Sequence, residues 1–251
     1  MIFNEKLKIL NRLPVLAYEK ESIAIISDIH LGYEEAMASQ GVYLPKLQLK
    51  RAKTIINEIN KYNFKKIVIA GDLKHVFEKL TRQERAEILE FMGSIAKLNI
   101  KEIILVKGNH DTYVSNLLKD LGIQVEENYL DLGEGLAVTH GHKIIDNIDK
   151  YQIIIMGHEH PSVEINLSGS KIRLQALLKM PLKNGSIALV LPPIGLYQTG
   201  TVVNLDKNSY LSPISRELGD IENIVPIIVD REIGVIELPR LGNIFRKQEE
   251  F

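Results

Sequence analysis

Ile103-Ile104-Leu105-Val106-Lys107-Gly108-Asn109-His110-Asp111 decides how the rest of the chain is read. Four successive apolar residues with no polar alternation predict a strand buried on both faces. Its carboxyl end then delivers an amide, an imidazole and a carboxylate in consecutive positions. Open α/β sheets place their ligands just beyond the carboxyl ends of their strands. The same order of apolar run, glycine and potential metal ligand recurs at Ile67-Val68-Ile69-Ala70-Gly71-Asp72 and at Ile153-Ile154-Ile155-Met156-Gly157-His158. One such run is weak evidence, whereas three predict a site.

Upstream, the apolar run 23–26 ends in Ser27-Asp28-Ile29-His30. On extended backbone Asp28 and His30 project to the same side, an arrangement that suits a small divalent ion. Segments 13–17 and 23–26 flank the charged turn Glu19-Lys20-Glu21 and predict a hairpin. Residues 31–44 are expected to form a loop, and 31–45 is the best candidate for a lid over the rim. Apolar spacing predicts a crossover helix over 46–60. A second helix is predicted over 81–98, with Thr81 and Glu84 placed as a capping box. The order βαβαβ predicts a parallel sheet covered by helices.

Beyond a short helical segment at 114–121 the character changes. Strands are predicted over 136–142, which includes His140-Gly141-His142, and over 153–160, which includes His158-Glu159-His160. From Pro161 onward the chain reads as mostly β, with strands at 163–167, 171–180 and 186–191. Ser-Gly, Asn-Gly and Pro-Pro breaks separate them, Asn184-Gly185 as a hairpin turn. The expected organisation is one domain over 1–251, with a motif-bearing part to residue 161 and a β-rich part over 162–251. Segment 240–247 is expected to be a solvated tail, and Lys74 and Lys107 to be solvated.

Bulk composition excludes more than it assigns. A chain of 251 residues, 45% hydrophobic and 25% charged, has the profile of a globular protein long enough to bury a sizeable core. A formal net charge of -1 gives no electrostatic sign of a nucleic-acid binder, although bound divalent ions would make a site locally positive. With no cysteine there is neither a disulfide framework nor a thiolate metal site. No apolar stretch approaches the roughly 20 residues needed to span a bilayer. Residues 1–6 lack the layout of a signal peptide, so the expectation is a cytoplasmic protein.

Seven histidines occur, at 30, 75, 110, 140, 142, 158 and 160. Each falls at or just past the end of a predicted strand, and none lies in the final third. The candidate ligand set is Asp28, His30, Asp72, Asn109, His140, His158 and His160. Nitrogen and oxygen donors without sulfur favour manganese, iron, zinc or cobalt over copper(I), and the imidazoles disfavour calcium or magnesium alone. Seven ligands fit two ions about 3.5–4 Å apart that share one carboxylate.

With those residues in view, the sequence resembles the calcineurin-like metallophosphoesterases. It carries Asp28-x-His30, Gly71-Asp72, Gly108-Asn109-His110-Asp111, His140 in Thr-His-Gly-His, and Gly157-His158-x-His160, in the order of that family's signature. Ser-Asp-Ile-His-Leu-Gly, Gly-Asp-Leu-Lys-His and Gly-His-Glu-His-Pro are similar to a narrower group, the archaeal phosphoesterases related to SbcD-type nucleases and to ligase-associated phosphoesterases.

The resemblance implies an α/β fold, a four-layer αββα sandwich of two mixed sheets flanked by helices. It implies two divalent ions, manganese foremost, with iron, zinc, cobalt or nickel as alternatives. Asp28, His30 and His160 would hold one, Asn109, His140 and His158 the other, and Asp72 would bridge. Between His140 and His142 the resemblance selects His140, because the family's ligand precedes the glycine; the residues alone leave the choice open. The implied chemistry is attack of a bridging hydroxide on phosphorus, with His110 protonating the leaving oxygen and Asp111 orienting that imidazole. His75 and His142 are expected to back the ligands or touch substrate. The expected substrate is a phosphodiester, including nucleotides or nucleic acid; the alternative is a phosphomonoester of a nucleotide or protein. A non-catalytic scaffold would be expected to lose ligands, and this chain retains the full set.

Overall fold

Runs that are apolar on both faces require cover on both faces, and two stacked sheets supply it. In the computed structural model, which describes residues 6–167, 170–198 and 200–249, the first sheet contains β1 (Leu7–Ile9), β2 (Leu16–Tyr18), β3 (Ile23–Ile26), β4 (Lys66–Ala70), β5 (Glu102–Val106) and β6 (Gln124–Glu126), adjacent in that order. β1 to β3 form antiparallel pairs and β3 to β6 parallel ones. Four helices belong to this half: α1 (Tyr33–Ser39), α2 (Gln48–Asn60), α3 (Arg82–Ala96) and α4 (Ser115–Asp120).

The second sheet contains β7 (Tyr129–Gly133), β8 (Leu136–Thr139), β9 (Ile153–Met156), β10 (Ser162–Leu167), β11 (Ser170–Pro181), β12 (Ile187–Val190), β13 (Val225–Asp230) and β14 (Gly234–Glu237). Its order is β14-β13-β11-β12-β9-β8-β7, with β10 paired to β11 off that path. β8, β9 and β12 run parallel and in level register, Thr139 opposite Met156 and Met156 opposite Val190. The first sheet is level in the same way, with Ala70 opposite Val106. Level carboxyl ends in both sheets create one rim.

Alternation along each strand sorts the side chains between layers. Ile26, Ile69 and Leu105 face α2 and α3, joined by Ile56 and Phe91. Ile25, Val68 and Ile104 face the other sheet and meet Val138, Ile155 and Leu189. Met156, Leu178 and Val190 point outward to Tyr210, Ile214 and Leu241. Each fully buried aliphatic side chain contributes about 1.5–3 kcal/mol. The result is two mixed sheets with flanking helices, as the motif order implied.

Several local expectations are corrected. Segment 31–44 is not all loop: α1 forms there, with Glu34 and Glu35 in its first turn and Ala36, Met37 and Ala38 as good helix formers. Glu34 is buried and accepts from the backbone N–H groups of Leu47 and Gln48, anchoring α1 to the start of α2. Segment 240–247 is not a solvated tail but lies in a helix, α5 (Leu241–Glu249). Leu241 is buried, and Ile244 and Phe245 pack on the outer cluster of the second sheet. Residues 1–5, read as lacking a leader, and the Ser168-Gly169 break lie outside the described residues. Among the described residues no helix is long and apolar enough to cross a membrane.

Candidate metal centre

Five strand ends deliver the site. Asp28 and His30 follow β3, Asp72 follows β4, Asn109 and His110 follow β5, His140 follows β8, and His158 and His160 follow β9. All seven candidate ligands meet at the rim. Asp28, His30, Asp72 and His160 form one group whose ligand atoms converge, and Asp72, His140 and His158 form a second. Asp72 belongs to both. Contacts cross between the sheets: His160 Nε2 lies 3.2 Å from Asp28 Oδ1, and His140 Nε2 lies 3.3 Å from Asp72 Oδ2. Asn109 joins the second group through Oδ1, 3.0 Å from His140 Nε2.

The backbone reaches this geometry by turning, not by staying extended. Asp28, His30, Asp72, His158 and His160 have φ of 52°, 50°, 50°, 72° and 46°. Non-glycine residues in that left-handed region cost of the order of 1–3 kcal/mol each and persist only where surrounding structure over-determines them. Here the Asp72 carbonyl accepts from both Ile29 and His30 N–H at 2.9 Å, locking the turn. The glycines before the ligands leave room for ligands from elsewhere. A Cβ on Gly71 would overlap the His140 ring, one on Gly108 the Asp72 carboxylate, and one on Gly157 the Asp28 carboxylate.

The donor set fits a divalent cation. His30 Nε2 faces His160 Nε2 at 3.3 Å, and His158 Nδ1 faces His140 Nε2 at 3.1 Å, so electron-rich ring nitrogens converge around buried carboxylates. Burial holds His30 well below the usual imidazole range, and burial followed by the neighbouring His140 pushes His158 down to about 3. Burial opposes the charge of Asp72, yet His140, His30 and His110 together outweigh it and keep the carboxyl well below its usual range. Burial equally opposes a charged His140, but the Asp72 carboxylate lifts it to about 9. Asp28 is lowered against burial by His160. Neutral imidazoles beside ionised carboxylates are the forms that take a metal, and the proton that His140 shares with Asp72 is one a cation would displace.

The remaining expected residues are distributed differently. Asp111 does not orient the His110 imidazole as the resemblance implied; its carboxylate is committed to backbone. Oδ1 accepts from Leu73 N–H at 2.8 Å and Lys74 N–H at 3.3 Å, and Oδ2 from Gly108 N–H at 2.8 Å. His110 Nδ1 meets the His75 carbonyl oxygen, and the Phe77 ring lies 3.7 Å from the His110 ring, centroid to centroid. Nε2 of His110 points to the site, 3.9 Å from Asp72 Oδ2. His75 brings Nδ1 to 3.2 Å from His30 Nδ1, and these two rings with His110 form a third convergent group. His142 packs beside His140 and His158, its Nδ1 buried without a partner. It belongs to none of the three groups.

Lys74 is buried, not solvated: Nζ donates to the carbonyls of Val76 and Lys79, closing the loop ahead of α3. Lys107 instead pairs with Glu127 at 2.9 Å. Two carboxylates also hold loops, a role that local spacing does not reveal. Glu84 completes the capping box with Thr81, and its Oε1 accepts from the His75 and Val76 N–H groups. Glu159 is buried and accepts from the Leu211 and Ser212 N–H groups at 2.8 Å. Its position between two histidines was the available signal. Beside His110 opens a cavity of about 710 Å³, lined also by Gln40, Phe77, Lys79 and Arg82.

The sequence model of the calcineurin-like phosphoesterases matches residues 21–172. Among solved structures the chain is similar to the nuclease MPE of Pseudomonas putida, at 17% identity and a TM-score of 0.64, over 92% of this chain and 94% of that one. YfcE, a phosphoesterase from E. coli, is 16% identical with a TM-score of 0.46, over 87% of this chain and 98% of that one. At 17% identity the likeness to the nuclease is one of fold. No curated protein matches by sequence. The family match spans more than half of the chain and contains every candidate ligand, and on that ground the chain belongs to the calcineurin-like phosphoesterase family.

Proposed function

We propose that this member of the family is a phosphodiesterase of the SbcD-related and ligase-associated kind, working with two divalent ions, manganese foremost. Asp28, His30 and His160 would hold one ion, Asn109, His140 and His158 the other, and Asp72 would serve both. When bound, such ions polarise phosphoryl oxygens and make a water nucleophilic near neutral pH. The remaining work falls to the chain's own groups.

His110 is the proposed general acid. The His75 carbonyl accepts from its Nδ1, which leaves Nε2 as the nitrogen that gives a proton to the departing oxygen. Phe77 packs on the ring and fixes its plane. Asp111 keeps the loop that carries His110 in register with the loop after β4.

The observation that carries the diester reading is His110 at the wall of the 710 Å³ cavity, outside the two groups that share Asp72. An alkoxide leaving group needs a proton, and the group attached to it needs space. The test is hydrolysis of an aryl phosphodiester and of the matching monoester by chelator-stripped protein, with and without added manganese. Manganese-dependent cleavage that favours the diester supports the reading. Faster monoester cleavage would replace it with a phosphatase, and metal uptake without turnover on either with a scaffold.

A further inference from the structure

A second cavity, about 610 Å³, is lined by none of the candidate ligands. Its walls come from the turn between β1 and β2, from α2, from β11, from segment 196–198 and from the turn after β13. Its volume is that of a small-molecule site.

Its charge is lopsided. Arg12, Lys50, Arg51, Arg173 and Arg231 line it, against the carboxylates of Asp230 and Glu232. Asp230 already accepts from the N–H groups of Glu232 and Ile233 at 2.9 Å. Arg173 and Arg231 reach carboxylates only at 3.7 and 3.9 Å, and among the described residues Arg12, Lys50 and Arg51 have none within 4.0 Å.

Arg51 is half-buried and held by neutral acceptors. Nε donates to the Ile194 carbonyl at 2.8 Å and Nη2 to Gln175 Oε1 at 3.1 Å. A guanidinium has further N–H donors, and here they have no protein acceptor.

Gln198 also lines the cavity, as a rigid part of its wall. It is 8% exposed and its Nε2 has no partner. The amide's orientation is fixed, because Oε1 accepts from Gln48 Nε2 at 2.9 Å. Gln48 is itself pinned: Nε2 also donates to the Ile29 carbonyl, and Oε1 accepts from Leu196 N–H.

Much of the remaining lining is apolar: Leu13, Pro14, Ile55, Leu174 and Val229, with the more exposed Leu47 and Leu196. Cations with unspent donors beside apolar side chains complement an anionic group carried on an apolar body. We propose that this cavity binds a phosphorylated organic anion of nucleotide size, its phosphate at Arg51 and Arg12 and its base against the apolar lining. The occupant would lie one side chain, Gln48, away from the backbone between Asp28 and His30.

The test is isothermal titration of the full-length, chelator-stripped protein with the four nucleoside 5′-monophosphates, with adenosine and with inorganic phosphate. The expected result is one site per chain for at least one monophosphate, with adenosine and phosphate each weaker by roughly tenfold or more. Arg51→Gln and, separately, Arg12→Gln should each weaken that binding by roughly tenfold. Asp72→Ala should bind as tightly as the unaltered protein, which separates this cavity from the histidine cluster. Absence of binding by all four would overturn the proposal. So would binding that survives both arginine substitutions, binding abolished by Asp72→Ala, or phosphate binding as tightly as the nucleotides.

Discussion

At the residue scale, His110 and Gly108 separate catalysis from assembly. His110→Ala removes the proposed proton donor without touching the two groups that share Asp72. Turnover is expected to fall by about 10²–10⁴-fold, with metal content by elemental analysis unchanged. Loss of metal would instead make His110 a ligand of the third histidine group. Gly108→Ala should do the reverse, because its Cβ would overlap the Asp72 carboxylate and main-chain nitrogen. Bound metal should fall before any question of proton transfer arises. The ligands were legible in the sequence because each follows an apolar run. The job of Asp111 was not: three backbone N–H groups claim its carboxylate, and two of them belong to a loop far away in sequence.

At the element scale, the loop 74–81 and α3 stand or fall together. Glu84 caps its own helix with Thr81 and holds the His75 and Val76 N–H groups, so one carboxylate fixes both the helix start and the loop that carries Phe77 to His110. Glu84→Ala should cost about 2–5 kcal/mol in chemical denaturation, because several buried N–H groups lose their acceptor. It should also lower turnover more than metal binding, since the loop borders His110. The capping box was readable from Thr81 and Glu84 alone. The second use of Glu84 was not, because nothing in local spacing reveals a contact to residues 75 and 76. Strands β6 and β7 escaped reading for a related reason. Gln124–Glu126 and Tyr129–Gly133 are half-exposed edge segments without a buried face, so they carry no periodic signal. Helix α5 escaped because Leu241, Ile244 and Phe245 look like scattered apolar residues until the second sheet gives them a surface.

At the scale of the whole molecule, the two sheets meet in a buried apolar layer but share polar contacts at the rim. Asp72→Ala should empty both proposed ion sites together, and a variant retaining one ion at full occupancy would contradict the shared role. Chelation of the unaltered protein should lower its midpoint of thermal unfolding, and restoring manganese should raise it again. The layered architecture was legible because the order of apolar runs reports it; how the rim holds the halves together was not. His30 and His160 stand 3.3 Å apart across the sheets and 130 positions apart along the chain. An ion gripped by both is therefore a removable rivet between two folded leaves. Unfolding would have to pull it before the leaves could part, so the proposed ion would set how quickly the molecule comes undone as well as serve its chemistry.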